Sequence, residues 1–327
     1  MRKLNIVMIF IAVCLSGVFF LTGCGNTQSV EEKQQILRDK GMKAMSDGKY
    51  EDAMAFFDKT LKESNGKISE LEMDVCYQKA FCQMKTGLKK EALETLSALL
   101  KYDKKDSKAY YLKGSIYMAA HENEKGIRNF DQAILYDATK YSLYISIYEQ
   151  LTCAGLEENA KDYLRKATKL EGDSPEDFRE KGRAYLLLKN YEEAKKQLDK
   201  ALNEKDEDAK LYMAKLLEET GNTQQAYAVY ESYAQSNKKD GNAQYKLGLI
   251  LMETNDYKGA LEYFQKALKS GSIEDETVIQ KNQMICYEKM QDYKNALQIA
   301  KSYVAKYPED LEMKKELLFL STRVSEE

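Results

Sequence analysis

The chain has 327 residues, with 50 Lys and Arg against 53 Asp and Glu for a formal charge of −3, and it holds 2 Pro, one His and no Trp. Both signs of charge are interspersed, which excludes a basic stripe of the kind that binds nucleic acid by displacing counterions and a polybasic membrane patch. An apolar share of 43 % is too high for a disordered chain, and two prolines in this length leave long stretches free to be helical.

The first segment is a targeting signal. Met1-Arg2-Lys3 is a short positive end, Leu4 to Phe20 is apolar apart from Asn5, Ser16 and Gly17, and Leu21-Thr22-Gly23-Cys24 closes the run. A positive start, an apolar core and small residues before a cleavage point make an export signal. The last four residues resemble the lipobox of bacterial lipoproteins. That resemblance implies removal of residues 1–23, lipidation of Cys24 by a thioether-linked diacylglycerol, and a mature chain held on the extracytoplasmic side of the cell membrane. Acyl chains contribute about 0.8 kcal/mol per buried CH₂, and two or more suffice to anchor a protein. The alternative is an uncleaved anchor, because about nineteen mostly apolar residues just span a bilayer. Without residues 1–23 the balance is 48 Lys and Arg against 53 Asp and Glu, or −5. Residues 24–33 are then the lipidated Cys and a short polar linker, reaching at most roughly 30 Å.

From residue 34 onward the sequence repeats itself. Tyr50, Tyr191, Tyr257 and Tyr293 each precede an Ala by three positions, at Ala53, Ala194, Ala260 and Ala296. Four residues after the Ala comes an apolar side chain: Phe57, Leu198, Phe264 and Ala300. Weaker copies fall at Ala92, Gly126, Ala160 and Ala226, so that the spacings are 39, 34, 34, 34, 32, 34 and 36 residues. Twelve residues upstream stands a second small residue, Gly41, Ala80, Gly114, Gly182, Ala214 or Gly248; Tyr148 and Met284 take its place in the fourth and eighth units.

Each unit reads as two helices. Residues 107–120 carry Tyr110, Leu112, Ile116 and Tyr117, a polar break follows at 121–124, and Gly126 to Tyr136 carries Ile127, Phe130, Ala133 and Ile134. The two small residues let the backbones approach, so Gly114 and Gly126 are expected to face each other's helix. That explains glycine in helices where it costs about 1 kcal/mol. Ser174-Pro175-Glu176-Asp177 has the cap, proline and acids of a helix start. Pro308 closes the eighth unit. Residues 309–327 read as one more helix, covering the last apolar face of a stack.

This order of residues resembles the tetratricopeptide repeat, best in 175–206 and 241–274 and over roughly 34–308, although no unit has the family's Trp. The resemblance implies an all-α, right-handed superhelical solenoid of about eight helical hairpins plus a C-terminal capping helix at 309–327. It also implies a concave groove lined by the first helix of each pair. Matched position by position, the groove residues are Tyr77, Phe81 and Met84; Tyr111 and Met118; Arg179 and Arg183, with Leu186 and Leu187; and Tyr245, Leu249 and Met252. Aromatics, Met and Arg are the types that anchor protein partners; the same side chains could instead pack between neighbouring helices. Arg179 and Arg183 share a helical face suited to a carboxylate, with Glu176 and Glu180 as local competitors. The Lys-and-Asn clamp of some family members is absent, since the matching positions hold Arg38 with Met42 and Lys281 with Ile285.

Chemistry is sparse. His121 falls in a polar turn, Cys76, Cys82, Cys153 and Cys286 form no CxxC pair, and no zinc or other metal site is expected. The four thiols are expected to be free and buried; a Cys76–Cys82 link would join side chains roughly 240° apart on one helix. There is no HExxH, GxSxG, P-loop or GxGxxG run. The expectation is therefore a non-enzymatic scaffold with no cofactor, tethered to the membrane through the lipid on Cys24 and binding protein or peptide partners of the cell envelope, not nucleic acid. A chaperone-like holder of exported unfolded chains or surface polymers is the alternative. An enzyme would need carboxylates isolated in an apolar channel.

Overall fold

The computed structural model describes residues 29–273 and 276–324; Cys24 and the signal segment lie outside the described residues. Among those residues there are seventeen α-helices and no strand. Eight hairpins follow in order: α1 (Val30–Ser46) with α2 (Tyr50–Glu63), α3 (Glu70–Lys85) with α4 (Lys89–Tyr102), α5 (Ser107–Ala119) with α6 (Asn123–Tyr136), α7 (Tyr141–Cys153) with α8 (Glu157–Ala167), α9 (Pro175–Leu187) with α10 (Tyr191–Asn203), α11 (Ala209–Glu219) with α12 (Thr223–Ser236), α13 (Gly241–Glu253) with α14 (Tyr257–Ser270), and α15 (Glu276–Lys289) with α16 (Tyr293–Lys306). A last helix, α17 (Leu311–Val324), follows. The chain divides after Leu170 into two compact units, α1–α8 and α9–α17.

Local chemistry sets the helix ends. Ser174 and Asp177 bond reciprocally in a capping box with Pro175 at the first helical position, as the sequence indicates. One boundary differs from expectation. The linker was expected to run to Lys33, but the Ser29 hydroxyl accepts the Glu32 N–H at 3.1 Å, and Glu31 and Glu32 fill the first turn, so α1 begins at Val30. Each hairpin turns on one residue with positive φ, five positions before the repeating small residue: Gly48, Gly87, His121, Gly155, Lys189, Gly221, Asn255 and Gln291.

The hairpin core explains the period. Phe57, Leu96, Phe130, Leu164, Leu198, Tyr230 and Phe264 are fully buried, each four residues after the Ala or Gly of its second helix. In three pairs the ring lies over a first-helix glycine: a Cβ built on Gly41, Gly114 or Gly248 would sit 2.5 Å from Phe57, Phe130 or Phe264. Gly114 and Gly126 do face each other, each lying where an added Cβ would crowd the other's carbonyl oxygen.

The two units without the small residue resolve differently. In the eighth, Met284 is buried in one cluster with Ala296 and Ala300, so a long flexible side chain fills the room that a small Ala300 leaves. In the fourth, Leu164 keeps its full size and Tyr148 has no such room. Ile147 and Leu151 of α7 go fully into the core, while Tyr148 is only half-buried. Cys153 is exposed, at a position that is also exposed in α3 (Lys85) and α5 (Ala119), against the expectation that all four thiols would be buried. Cys82 and Cys286 are buried, and burial pushes both thiols up to about 11; Cys76 is half-buried, and all four are free.

First helices form the inner layer of each unit. In the first, α1, α3, α5 and α7 touch in succession, and in the second α9 touches α11, whereas successive second helices are not packed in this way.

Beside the packing of Met313 and Leu320 on the eighth hairpin, one carboxylate ties α17 to it. Asp310 accepts the Met313 N–H at 3.1 Å, the Lys281 ammonium at 3.0 Å and the Tyr303 hydroxyl at 3.0 Å. The backbone cap and then Lys281 keep its carboxyl at about 2, below its ordinary 3.8. A depressed folded pKa means that its contribution is complete above pH 4 and fades as the pH falls towards 2. Amide protection in α17, corrected for the intrinsic exchange rate at each pH, should fall over that window in the wild type. In Asp310→Asn, which can still cap, that acid dependence should vanish; an identical pH profile in both proteins would discard the ion pair as its source.

Candidate functional site

The inner layer of the first unit contains a cleft of about 470 Å³, within the size range of ligand pockets. Its two walls differ. From α3 and α5 come Phe81, Met84, Tyr111, Ile116 and Met118, and from α7 come Ser146, Tyr148, Glu149, Gln150 and Thr152. The cleft lies where α7 packs less closely on α6 than α5 does on α4 or α3 on α2, next to the bulky residue at the usual small position.

Four of the five groove residues expected in this unit line the cleft: Phe81, Met84, Tyr111 and Met118. Each is also a packing residue. Phe81 meets the edge of Tyr50 with ring centres 6.1 Å apart, Tyr111 lies 5.7 Å from Phe130, and the sulfur end of Met118 reaches Gly126. Burial raises the Tyr111 hydroxyl above its ordinary pKa, against hydrogen bonding with Ser115, Gln150 and Ser146. Tyr77 does not line the cleft. It is buried, and its hydroxyl donates to Asp106 at 2.6 Å, tying the second hairpin to the N-cap of α5.

The second unit spends its expected groove residues on internal contacts. Arg179 pairs with Asp206 at 2.7 Å, Glu180 at 3.1 Å and Glu176 at 3.2 Å, and Arg183 lies 3.6 Å from Glu180 and 5.4 Å from the Tyr212 ring centre. Both competitors named from the sequence are engaged, and Asp206, on the turn before α11, was not foreseen. Leu186 is buried and Leu187 half-buried. Tyr245, Leu249 and Met252 pack, half-buried, on the cluster around Phe264, with Asn282 donating to the Tyr245 hydroxyl at 2.9 Å. A second cavity of about 470 Å³ is lined instead by Glu231, Lys238, Gln244, Tyr263 and Lys266, and the buried side-chain oxygen of Gln244 has no hydrogen-bond partner.

Sequence reasoning missed the whole α7 wall. Its signal was visible: Tyr148 breaks the small-residue rule, and a broken packing rule marks a place where the helices cannot close. His121 is exposed in its turn. Among the described residues no three His, Cys, Asp or Glu side chains are grouped to hold a metal ion, and no helix is long and apolar enough to cross a membrane.

Family models described as tetratricopeptide repeat match residues 44–116, 180–208, 211–272 and 282–310, together more than half of the chain. The chain belongs to the tetratricopeptide repeat family. The repeat that forms the α7 wall lies between those matches, consistent with its departure at Tyr148. No curated protein matches the sequence. Among solved structures, a tetratricopeptide repeat protein from Parabacteroides merdae is 16 % identical with a TM-score of 0.51, over 78 % of this chain and 99 % of that one. The Cut9–Hcn1 hetero-tetramer of the APC/C is 14 % identical with a TM-score of 0.50, over 90 % of this chain and 57 % of that one. PilF of Pseudomonas aeruginosa is 16 % identical with a TM-score of 0.45, over 64 % and 95 %. What the first two share with this chain at these identities is the fold.

Proposed function

We propose that this repeat protein is a membrane-anchored, extracytoplasmic scaffold that binds protein or peptide partners on the inner face of its first unit. The observation that carries the binding reading is the cleft itself: aromatic and Met side chains, the types enriched at interface anchors, line a recess deep enough to take side chains from another molecule. The chemistry needed is recognition. An anchor near the bilayer raises the local concentration of membrane partners, and the repeats supply surface.

Anchoring rests on Leu21-Thr22-Gly23-Cys24 and the apolar run before it. Cys24→Ser should move the protein from the membrane fraction to the soluble fraction on cell fractionation; unchanged membrane retention would favour an uncleaved anchor. For the groove, partners captured by cross-linking on intact cells with the wild-type protein should be lost with Phe81→Ala combined with Tyr111→Ala. A partner set that survives both substitutions would place binding elsewhere.

A further inference from the structure

The second cavity, walled by α12, α13 and α14, holds an unmet hydrogen bond. Gln244 lines it and is only 5 % exposed, and its buried side-chain oxygen has no donor. Hairpin packing does not require a polar residue there. At the matching position, four before the repeating small residue, the first five units carry Leu37, Cys76, Tyr110, Tyr144 and Phe178. In the sixth, Lys210 is polar but bonds the Ser232 hydroxyl. A buried acceptor left without a partner destabilises a fold, so its presence at a cavity wall points to a donor brought from outside.

The other lining residues say what carries that donor. Glu231 accepts from the Tyr263 hydroxyl at 3.3 Å, a long bond that leaves further lone pairs for a ligand. Lys238 and Lys266, both exposed, line the same cavity. Neither has a carboxylate within ion-pair distance among the described residues, and Lys266 is held 4.1 Å from the Tyr263 ring centre. Two acceptors beside two ammonium groups reject simple ligands. A bare anion suits the lysines but brings no donor, a cation is repelled by them, and a neutral polyol leaves them unpaired. We infer that this cavity is a binding site for a polyhydroxylated anion, the chemistry of sugar and polyol phosphates. Its hydroxyls donate to Gln244 and Glu231, and its phosphate accepts from Lys238 and Lys266. The volume of about 470 Å³ has room for such a molecule, since roughly 150 Å³ already holds benzene. The site belongs to the second unit and does not rest on the groove reading above.

Calorimetric titration of the mature chain with glucose 6-phosphate and glycerol 3-phosphate tests this. At least one should bind about tenfold or more tightly than inorganic phosphate, glucose, glycerol or glutamate, a difference of about 1.4 kcal/mol. Lys238→Gln and Lys266→Gln should each weaken it about tenfold. Lys258→Gln makes the same charge change at an exposed position of α14 that does not line the cavity, and should leave it unaltered. Gln244→Met separates ligand from fold: binding should be lost while the melting temperature holds or rises, because the orphaned oxygen goes too. Equal affinity for inorganic phosphate or glutamate overturns recognition of hydroxyls. Binding of neither sugar nor polyol phosphate, full affinity in Gln244→Met, or equal effects of the three Lys→Gln changes overturns the site. A melting temperature that falls in Gln244→Met would show that the amide serves the fold, and overturns the argument from its unmet bond.

Discussion

Phe264→Ala should cost 3–5 kcal/mol, the loss measured for a buried Phe whose site cannot collapse (about that range in general). Phe264 is fully buried and lies over Gly248, which has no side chain to move into the space. Its cluster joins Ala260 and Ala267 of α14 to Ile279 and Cys286 of α15, so the void would open both within the seventh hairpin and between it and the eighth. Stability in a stack is close to a sum of hairpin and nearest-neighbour terms. Hydrogen exchange should therefore show protection lost in α13, α14 and α15, with α1–α4 unchanged. The matched control is Leu135→Ala on α6, where the side chain is 65 % exposed and the change should stay within about 0.5 kcal/mol. An unmoved melting temperature for Phe264→Ala would refute the assignment of hairpin register.

The helical hairpins were legible because their packing needs two small residues twelve apart, one on each helix, and that demand is written in residue identity. Gly114 with Gly126 and Gly248 with Ala260 show it directly. The turns were less legible. Four of the eight positive-φ positions hold Gly, but His121, Lys189, Asn255 and Gln291 carry side chains that tolerate the left-handed region at a cost of roughly 1–2 kcal/mol. The start of α1 was misplaced because a cap by Ser29 depends on one hydrogen bond, which a polar stretch does not announce.

The site was half legible. Position-by-position matching found the α3 and α5 wall, because those residues follow the family register. It could not find the α7 wall, since Tyr148 shifts which face of α7 is buried. Arg179 and Arg183 illustrate a different limit. Their shared helical face was readable, but Asp206 lies 27 residues from Arg179 and is brought to it only by the stacking of α9 on the following hairpin. Ion pairing between hairpins is a tertiary event, and no local spacing encodes it.

Gly114→Val tests the central physical claim by sign as well as size. Helix propensity alone predicts a small gain on replacing a mid-helix glycine. Packing predicts the opposite: the new Cβ would lie 2.5 Å from two atoms of the Phe130 ring and 3.1 Å from the Gly126 carbonyl oxygen. Phe130 is fully buried, so its ring has nowhere to swing, and the oxygen belongs to the facing backbone. Overpacking of this kind costs about 1–3 kcal/mol and sometimes more, and a β-branched side chain at the closest crossing puts the expected loss at about 3 kcal/mol. Urea unfolding should show a lower midpoint with little change in slope. Adding Phe130→Ala should relieve part of the clash, so that the double change costs less than the two single changes together by roughly 0.5–3 kcal/mol. Gly87→Ala provides the contrast. Its φ is 82° with open space around the missing Cβ, so its cost should come from the left-handed backbone alone, about 1 kcal/mol, and should not couple to Phe130→Ala. If Gly114→Val proves neutral or stabilising, the paired helices do not approach through their small residues, and the thirty-odd-residue period has some other cause.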